Sequence, residues 1–510
     1  MKRTSNTFFS PIDLDHDIET PIYQQLYGWI RTAILDGHLR PGQRVPSTRG
    51  LATELKVSRI PVLNAYEQLL AEGYLQTAVG SGTFVARLLP DDSSRLLSET
   101  AARQRNESAL KRGTRRISQR GTSLISRRVE SGLPTLGAFR VSLPALDHFP
   151  IGIWSKLVFR HTRGSPMSTM AYGDSMGYFP LREAIAEYLG TSRAVRCDPS
   201  QILITTGSQQ ALQMCAHVVL DPKDRILMEE PGYPGARNAF IAAGVTVVPV
   251  KVDHDGMNME RLIRNDQNAR AAYITPSHQY PTGVTMSAAR RMILLNWAAR
   301  TGSWIIEDDY DSEYRFGSRP ISSLQGMDTD ARVIYIGTFS KVLFPALRLG
   351  YVVVPKDLVS AFAAARDAAD IFSSTFYQLV LTDFIREGHF ARHIRRMRML
   401  YMERRAALVA AIQVEMADRL EVIGAEAGMH LVALLPRGVD DREVSRIAAG
   451  TGLSAIPLST CCARTPVRGG LILGYGGVGE NQIRNGIRKL KTCVQVETPL
   501  ALRKGSVSSP

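Results

Sequence analysis

The segment "GTFSKVLFPALRLGY", residues 337–351, contains a single lysine, Lys341, among small and hydroxylated residues. Arg348 follows seven positions later, and an apolar run, "RVIYIG", leads into the segment. The lysine is either an ordinary surface charge or an amine held beside a bound phosphate. The segments that precede it in the chain decide between these two interpretations.

From about residue 140 onward, apolar runs alternate with helical patterns, which is typical of an α/β domain with a largely parallel sheet. Polar motifs follow these runs directly, at the sheet edge where such folds place their sites. "TTGSQQAL" places Ser208 and Gln209 at a helix start that favours an anion. "EEPGY" presents Tyr233 for ring stacking, and "EDDYDSEYR" presents Asp308 and Tyr310.

A phosphate cradle, a stacking aromatic, a carboxylate and a lysine together predict pyridoxal 5′-phosphate. This cofactor needs an amine for a Schiff base and an acid partner for its pyridine nitrogen. The order of the motifs, with "YGDSMGYFPLREAIAEYL" ahead of them, resembles the fold-type-I aminotransferases over roughly residues 140–492. The resemblance implies that Lys341 is the catalytic Schiff-base lysine, Asp308 the pyridine partner and Tyr310 the donor to the phenolic oxygen. Asp309 is the competing carboxylate, one residue out of register.

The same resemblance implies the other cofactor contacts. Tyr233 matches the stacking residue, and Tyr172 matches a tyrosine that reaches the phosphate of the other subunit, which implies a dimer. The phosphate shell is matched by Ser208, Gln209, Ser340 and Arg348. In "SHQYPTG", Tyr280 stands where many of these enzymes carry an asparagine that touches the ring oxygen.

A second departure concerns the arginine that binds the substrate carboxylate in many of these enzymes. It lies in a strand near the C-terminus, and in the corresponding strand here, "GGLILGYGG", Ile472 occupies its position. Arg464 and Arg468 lie just upstream. We expect Arg464 to bind the effector carboxylate.

Residues 21–86 show three helical patterns followed by two short β runs around Gly80 and Gly82. Gly37 is a stop for the first helix, and Ser47 and Ser58 are candidate caps for the other two. Three helices and a β-hairpin are the parts of a winged helix-turn-helix, whose third helix enters the major groove.

"GQRVPSTRGLATEL", "VSR", "AYEQLLAEGYL" and "GSGTFV" resemble the GntR family of bacterial transcription regulators, in order and at family spacing. The resemblance implies DNA contacts before and at the second helix, at the start of the recognition helix, and in the wing. These residues are Arg44, Ser47, Arg49, Ser58, Arg59 and Gly82. The family often has Thr or Asn after the Ser-Arg pair, whereas this chain has Ile60 and Pro61.

The predicted fold class is therefore α/β, with a winged helix-turn-helix domain at 17–86 and an aminotransferase-like domain with a mostly parallel sheet at 139–492. A basic flexible linker at 87–138 and a disordered tail at 493–510 complete the expected organisation. Between 87 and 130 eleven basic residues stand against five acidic ones, with almost no aromatic side chains.

The remaining composition excludes several classes of protein. No apolar stretch is long enough to span a membrane. The five cysteines show neither a disulfide framework nor the spacing of a metal site. We expect a cytoplasmic bacterial protein without structural metal and without a membrane partner.

A GntR-like front joined to an aminotransferase-like body resembles the MocR/GabR subgroup of regulators, and "TPSHQYPTG" and "EDDYDSEYRF" resemble that subgroup more than free-standing enzymes. The resemblance implies a head-to-tail homodimer on double-stranded operator DNA. An amine or amino-acid effector would displace Lys341 from the cofactor. Two alternatives stay open: a regulator that senses the cofactor itself, and an active aminotransferase with a vestigial DNA-binding segment.

Overall fold

The computed structural model describes residues 14–15, 20–78, 81–87, 89, 117–126, 136–164, 167–259, 268–316, 321–424, 426–464, 466 and 468–497. The chain divides into two compact units, Met1–Arg116 and Ile117–Pro510. Most of the predicted linker, the predicted tail beyond Glu497, and Gly80 of the predicted wing lie outside the described residues.

The first unit contains the three predicted helices and the hairpin. Its elements are α1 (Ile22–Leu35), α2 (Thr48–Glu54), α3 (Arg59–Ala71), β1 (Leu75–Ala78) and β2 (Gly82–Val85). The strands pair antiparallel from Leu75 opposite Val85 to Ala78 opposite Gly82. The prediction of a winged helix-turn-helix is therefore confirmed.

Local signals fix these helix ends. Gly37 has φ +79°, a left-handed conformation that suits glycine and ends α1. The Ser47 side chain accepts a hydrogen bond from Gly50 N at 3.0 Å and so caps α2. Ser58 holds the corresponding position before α3 but makes no side-chain cap bond. The helices bury one face against each other through residues such as Leu26, Leu51 and Val62.

The second unit is built on an eight-stranded sheet in the order β3-β10-β9-β8-β7-β4-β5-β6. The strands are β3 (Ile202–Thr205), β4 (Arg225–Glu230), β5 (Thr246–Asp253), β6 (Gly256–Met257), β7 (Ala271–Ile274), β8 (Trp304–Asp309), β9 (Val333–Thr338) and β10 (Gly350–Val353). Strands β5, β4, β7, β8 and β9 are parallel, whereas β10 runs antiparallel to both β9 and β3. The expectation of a mostly parallel sheet is confirmed.

The strands of this sheet are buried on both sides, because helices cover both of its faces. The helices of this part of the chain are α4 (Gln119–Ser126), α5 (Ile151–Arg163), α6 (Met167–Met170), α7 (Phe179–Arg193), α8 (Ser208–Val219), α9 (Pro234–Ala242), α10 (Ala288–Thr301), α11 (Leu324–Met327), α12 (Val359–Ala369), α13 (Thr375–Arg386) and α14 (His389–Met416). Alternate residues pack into different cores: Ile306 faces α8 and α9, whereas Ile305 faces α10.

A smaller antiparallel sheet, in the order β11-β12-β14-β13, forms the C-terminal part of the unit. Its elements are β11 (Glu421–Ile423), β12 (His430–Leu434), α15 (Asp441–Gly450), β13 (Ile456–Pro457), β14 (Gly470–Gly474) and α16 (Glu480–Glu497). The last helix therefore continues five residues past the predicted boundary at 492.

Two details differ from the sequence expectations. The helix Gln119–Ser126 lies inside the stretch expected to be a flexible linker. A tail was expected from 493, but those first residues extend the amphipathic helix α16, whose Cys493 and Val494 are buried. Among the described helices, none combines the length and apolarity of a membrane span.

Candidate functional site

The carboxyl edge of the large sheet brings together the polar motifs of the sequence. Lys341 follows β9, Asp308 lies at the end of β8, and Ser208 begins α8 after β3. Burial lowers the pKa of Lys341 to about 8, while the charges of Asp311 and Asp308 oppose this shift. A pKa of about 8 leaves roughly a tenth of the amine neutral at pH 7, far more than for an ordinary lysine.

Asp308 and Asp309 are both buried, but their partners differ. Asp308 Oδ2 accepts a hydrogen bond from the Tyr273 hydroxyl at 2.8 Å, and its Oδ1 is buried without a hydrogen-bond partner in the described structure. Asp309 Oδ2 contacts Arg193 Nε at 2.7 Å and the Tyr335 hydroxyl at 2.6 Å. Consecutive strand residues point to opposite faces. Only Asp308 thus combines a position on the α8 side with a free oxygen.

Burial raises the pKa of Asp308 to about 7, and the Tyr273 hydrogen bond and the Lys341 charge act against that rise. A cationic N–H placed at the free Oδ1 would restore the ionised carboxylate. This arrangement fits the protonated pyridine nitrogen of pyridoxal 5′-phosphate, because an acceptor with a negative charge is what that group requires.

The start of α8 and Arg348 form the second part of the site. Gly207 has φ +112° and precedes the first helical residue, Ser208. A Cβ at Gly207 would lie 3.3 Å from the guanidinium of Arg348, so the two approach closely. Backbone N–H groups at a helix start and a guanidinium together suit a phosphate. Ser340 is buried, and its backbone N–H donates to Thr338 Oγ1 at 3.2 Å.

Gln209 and Tyr233 complete this side of the site. The Gln209 side chain donates to the Gly235 carbonyl at 2.9 Å and ties α8 to the first turn of α9, directly after Tyr233. Burial and the charge of Asp308 raise the pKa of Tyr233 to about 12, and Arg348 opposes them. Tyr233 therefore lies close enough to both Asp308 and Arg348 for their charges to act on it, which is the position expected of a residue that stacks on the cofactor ring.

Tyr280 belongs to an aromatic and apolar wall. Its ring centroid lies 5.5 Å from that of Tyr233 and 6.0 Å from that of Tyr310. It shares a buried apolar cluster with Ile472 and Val141. Two positions that depart from free-standing aminotransferases, Tyr280 and Ile472, thus pack in one cluster.

The structure does not bring Arg464 into this site. Arg464 is exposed and lines a polar cavity of about 580 Å³ together with Asp440, Asp441 and Arg442. None of the residues around Lys341 lines that cavity. Arg468 Nε donates to the Leu435 carbonyl at 2.6 Å, and the Arg468 guanidinium also forms an ion pair with Glu421.

Arg140 is an arginine that the sequence motifs missed. Burial lowers the pKa of Lys341, and the Arg140 charge adds to this shift; burial raises the pKa of Tyr280, and the Arg140 charge opposes that rise, so Arg140 acts on the site. Its Nη1 lies 3.5 Å from Ser454 Oγ, and the following residue, Val141, packs against Tyr280 and Ile472. No motif surrounds Arg140 in the sequence, and only the packing of residues 138–141 against β14 reveals its position.

Further residues of the site were also missed by the sequence analysis. Tyr273 holds Asp308, and Arg193 holds Asp309. His278 Nδ1 lies 3.0 Å from Asp311 Oδ1 and 3.0 Å from the Tyr310 hydroxyl. His278 and Asp311 stand inside the quoted motifs "SHQYPTG" and "EDDYDSEYR", which was the available signal.

Two remaining features bear on metals and on a second subunit. His278, Asp311 and His430 have ligand-type atoms within 4.8 Å of one another, but His278 bonds Asp311, and His430 Nε2 lies 3.1 Å from the Pro281 carbonyl. Hydrogen bonds therefore engage His278 Nδ1, Asp311 and His430 Nε2, whereas His278 Nε2 is buried without a hydrogen-bond partner among the described residues. Tyr172 is 84% exposed and contacts only the ring of Phe372 among described aromatics.

The residues expected to bind DNA are exposed in the first unit. They are Arg44, Ser47, Arg49, Ser58, Arg59 and Gly82. Arg44 forms an isolated bridge with Phe84, and a Cβ at Gly82 would lie 2.9 Å from Arg44 Nε. Arg59 Nε donates to Thr48 Oγ1 at 3.2 Å, which links α3 to α2.

The exposed face of α3 is partly apolar. Ile60 is 68% exposed and Leu63 is 37% exposed, beside Arg59 at the start of the helix. Apolar side chains at the start of a groove-reading helix contact thymine methyl groups rather than base hydrogen-bonding atoms.

Comparison with known proteins identifies two families. Residues 156–461 match the aminotransferase class I and II family, and residues 22–85 match the gntR family of bacterial regulatory proteins. The chain is 41% identical over 479 residues to the probable rhizopine catabolism regulatory protein MocR of Rhizobium meliloti, covering 94% of this chain and 95% of that protein.

Two further relatives extend the comparison. The pyridoxine biosynthesis transcriptional regulator PdxR of Corynebacterium glutamicum is 30% identical over 474 residues, covering 93% of this chain and 96% of the relative. The solved structure of kynurenine aminotransferase from Pyrococcus horikoshii, in complex with PMP, superposes with a TM-score of 0.67 at 28% identity. It covers 80% of this chain and 99% of its own.

The two carboxylates should respond differently to removal of their charge. We expect Asp308→Asn to weaken retention of added pyridoxal 5′-phosphate with little loss of stability. Asp309→Asn breaks a buried ion pair with Arg193, and we expect it to lower the free energy of unfolding by about 3–5 kcal/mol. Dialysis of the loaded protein and thermal unfolding of the cofactor-free protein measure the two effects. Loss of cofactor in the Asp309 variant at unchanged stability would contradict the assignment.

Proposed function

This chain belongs to the MocR/GabR-type transcription regulators, in which a GntR-family DNA-binding region precedes an aminotransferase-like region that binds pyridoxal 5′-phosphate. From that membership we propose that the cofactor is held at Lys341 and that an amine or amino-acid effector reaching Lys341 changes the binding to double-stranded operator DNA. The free buried Oδ1 of Asp308, close enough to Lys341 for the two charges to interact, is the observation that carries the proposal.

The residues divide the work of holding the cofactor. When bound, pyridoxal 5′-phosphate supplies an aldehyde and an electron-withdrawing ring. Asp308 accepts the pyridine N–H, and the backbone at Ser208 together with Arg348 and Ser340 binds the phosphate. Tyr233 stacks on the ring, and Gln209 holds the first turn of α9, which follows Tyr233. Tyr280 forms the aromatic wall of the site. These roles are supported by the contacts and charges around each side chain.

Lys341 is suited to amine exchange because its burial favours the neutral form. A neutral amine is the nucleophile, and a released Lys341 can accept and return a proton close to the effector. The positive charges of Arg348 and Arg140 lower the pKa of Lys341 and act in the same direction as burial. An effector amine therefore competes with a lysine whose charged form is not strongly stabilised by its surroundings.

The effector carboxylate needs a cation, and the usual position holds the buried Ile472. Sequence order alone favoured Arg464, which instead lies with Asp440 and Asp441 in a separate cavity. We propose Arg140 for this role, because its charge acts on Lys341 and Tyr280 and its segment packs on the cluster that contains Ile472. Without an arginine at the position of Ile472, the substrate is oriented less strictly, which favours sensing over rapid turnover.

A homodimer completes this proposal. Tyr172 is exposed, as are several large apolar side chains that precede it in the chain, including Phe159, Met167 and Met170. Exposed apolar surface of this kind is typical of a contact with a second subunit. We propose a head-to-tail dimer in which Tyr172 reaches the phosphate bound by the partner.

Sensing of the cofactor itself is the second candidate. Its support is the likeness to a regulator named for pyridoxine biosynthesis, together with a cofactor site whose Asp308, Arg348 and Lys341 are all present. In that case occupancy of the site, rather than an amine, sets the DNA-binding state. Ligands shift such an equilibrium only by their differential affinity for the two states.

The proposed function is tested with Lys341→Ala in the full chain. We expect the visible absorption of the protein-bound cofactor, and its removal by borohydride, to be lost in this variant. A screen of amines and amino acids, read by absorption and by DNA mobility together, should find compounds that alter both in the wild type and neither in the variant. A response to pyridoxal 5′-phosphate alone would favour the cofactor sensor. Fast multiple turnover with no change in DNA binding would overturn the regulator proposal.

The effector-carboxylate proposal has a matched pair of variants. We expect Arg140→Gln to weaken binding of an active amino acid at least tenfold, while the corresponding amine without a carboxylate binds equally to variant and wild type. Arg464→Gln should leave both affinities unchanged, because Arg464 lines a different cavity. Absorption titrations measure the affinities, and the opposite ranking of the two arginines would restore Arg464.

The apolar start of α3 gives a prediction about sequence preference. On a duplex selected by the protein from a random pool, we expect replacement of thymine by deoxyuridine to weaken binding roughly fourfold at one or two positions. That factor corresponds to about 0.8 kcal/mol for one buried methyl group. Ile60→Ala should bind the thymine and uracil duplexes equally. A wild-type protein that ignores the methyl group at every position would exclude this contact.

A further inference from the structure

His278 and Asp311 form a buried pair beside Tyr310. The loop after β7 carries His278, and the residues after β8 carry Tyr310 and Asp311, so neighbouring strands deliver all three to one edge. His278 Nδ1 lies 3.0 Å and 3.2 Å from the two oxygens of Asp311 and 3.0 Å from the Tyr310 hydroxyl. The roles assigned so far to Lys341, Asp308 and the phosphate contacts make no use of this pair.

The chemistry of the three groups fixes their hydrogen-bond directions. An ionised carboxylate only accepts, so the proton shared by Asp311 and His278 sits on Nδ1. A protonated Nδ1 cannot accept a hydrogen bond from Tyr310. The Tyr310 oxygen therefore shares the single Nδ1–H donor with Asp311, and the hydroxyl hydrogen of Tyr310 is left to donate elsewhere.

The surroundings keep this arrangement in place. A Cβ at Gly428 would overlap His278 Cε1, so backbone packs directly against the imidazole. The His430 ring lies 5.1 Å from the His278 ring and contacts the Pro281 carbonyl. Burial lowers the pKa of His430 to about 3, so His430 stays neutral and brings no competing charge to the pair.

We propose that His278 and Asp311 are positioning residues that hold Tyr310 as a hydrogen-bond donor to the phenolic oxygen of the cofactor. This inference rests on the proposed cofactor site at Lys341. With Tyr280 at the position where many related enzymes carry a ring-contacting asparagine, the Tyr310 hydroxyl is the donor proposed for the cofactor oxygen. His278 prevents that one donor from turning away.

The proposal has a consequence for pH dependence. A donor to the phenolic oxygen stabilises the form of the bound cofactor with more negative charge on that oxygen, which is the deprotonated form. Loss of the donor therefore raises the pH at which half of the bound cofactor is deprotonated, which is read as the midpoint of the visible absorption change. The other charged groups that act on Lys341 are Asp308, Asp311, Arg348 and Arg140, and substitutions at His278 leave all four in place.

The experiment uses the loaded full-length protein and four variants. In His278→Leu the donor to Tyr310 is lost, and we expect the absorption midpoint to rise by about one pH unit or more, as in Tyr310→Phe. In His278→Asn an amide N–H takes the place of Nδ1–H, and the midpoint should stay near that of the wild type. In the double variant His278→Leu/Tyr310→Phe, the leucine should add no shift to that of the phenylalanine.

Each outcome separates positioning from a purely structural role. Equal shifts from His278→Leu in the presence and absence of the Tyr310 hydroxyl would overturn the proposal, as would a midpoint unchanged by the leucine. If the leucine variant does not retain cofactor, the midpoint of His278→Gln, whose amide reaches the place of Nε2 instead, should rise relative to His278→Asn. A wild-type band that survives Lys341→Ala would instead overturn the proposed cofactor site, independently of His278.

Discussion

The buried end of strand β8 imposes the constraint on which the site depends. Its alternation sends two consecutive carboxylates to opposite faces of a sheet that is covered on both sides. Each carboxylate needs compensation, because an uncompensated buried charge is costly. Arg193 and Tyr335 supply it for Asp309 within the protein. Asp308 receives one hydrogen bond from Tyr273 and the influence of the Lys341 charge, while its Oδ1 has no hydrogen-bond partner among the described residues.

In the proposed function, the same edge is an aminotransferase-like site adapted to sensing. Tyr280 and Ile472 stand where many related enzymes carry polar groups that hold cofactor and substrate, and they pack together in one apolar cluster. The groups proposed to hold the cofactor lie at the same sheet edge. Under this proposal the site binds an amine but orients it less strictly, and orientation is where much of the rate of catalysis arises.

In the first unit, backbone and neighbouring side chains likewise decide where the arginines lie. Arg44 bridges to Phe84 in the wing, and Gly82 leaves room for its guanidinium. Arg59 is steadied by Thr48 on the neighbouring helix, whereas Ile60 beside it projects into solvent. In the proposed DNA contact, the exposed arginines would bind phosphate and Ile60 would meet a base edge, which separates affinity from sequence preference.

The sequence by itself determined the fold of both units and predicted most of the proposed cofactor site, because strand–loop motifs such as those ending in Asp308 and Lys341 are local. Ser47 and Gly37 likewise marked helix ends that the structure confirms. Local patterns did not identify Arg140 or the contact between His278 and Tyr310, and they favoured Arg464 for the carboxylate. These relations join residues far apart in the chain, such as Arg140 and Lys341, and they depend on how loops pack over the sheet edge. The choice between Asp308 and Asp309 was also tertiary, because it depended on which face of β8 already held an arginine.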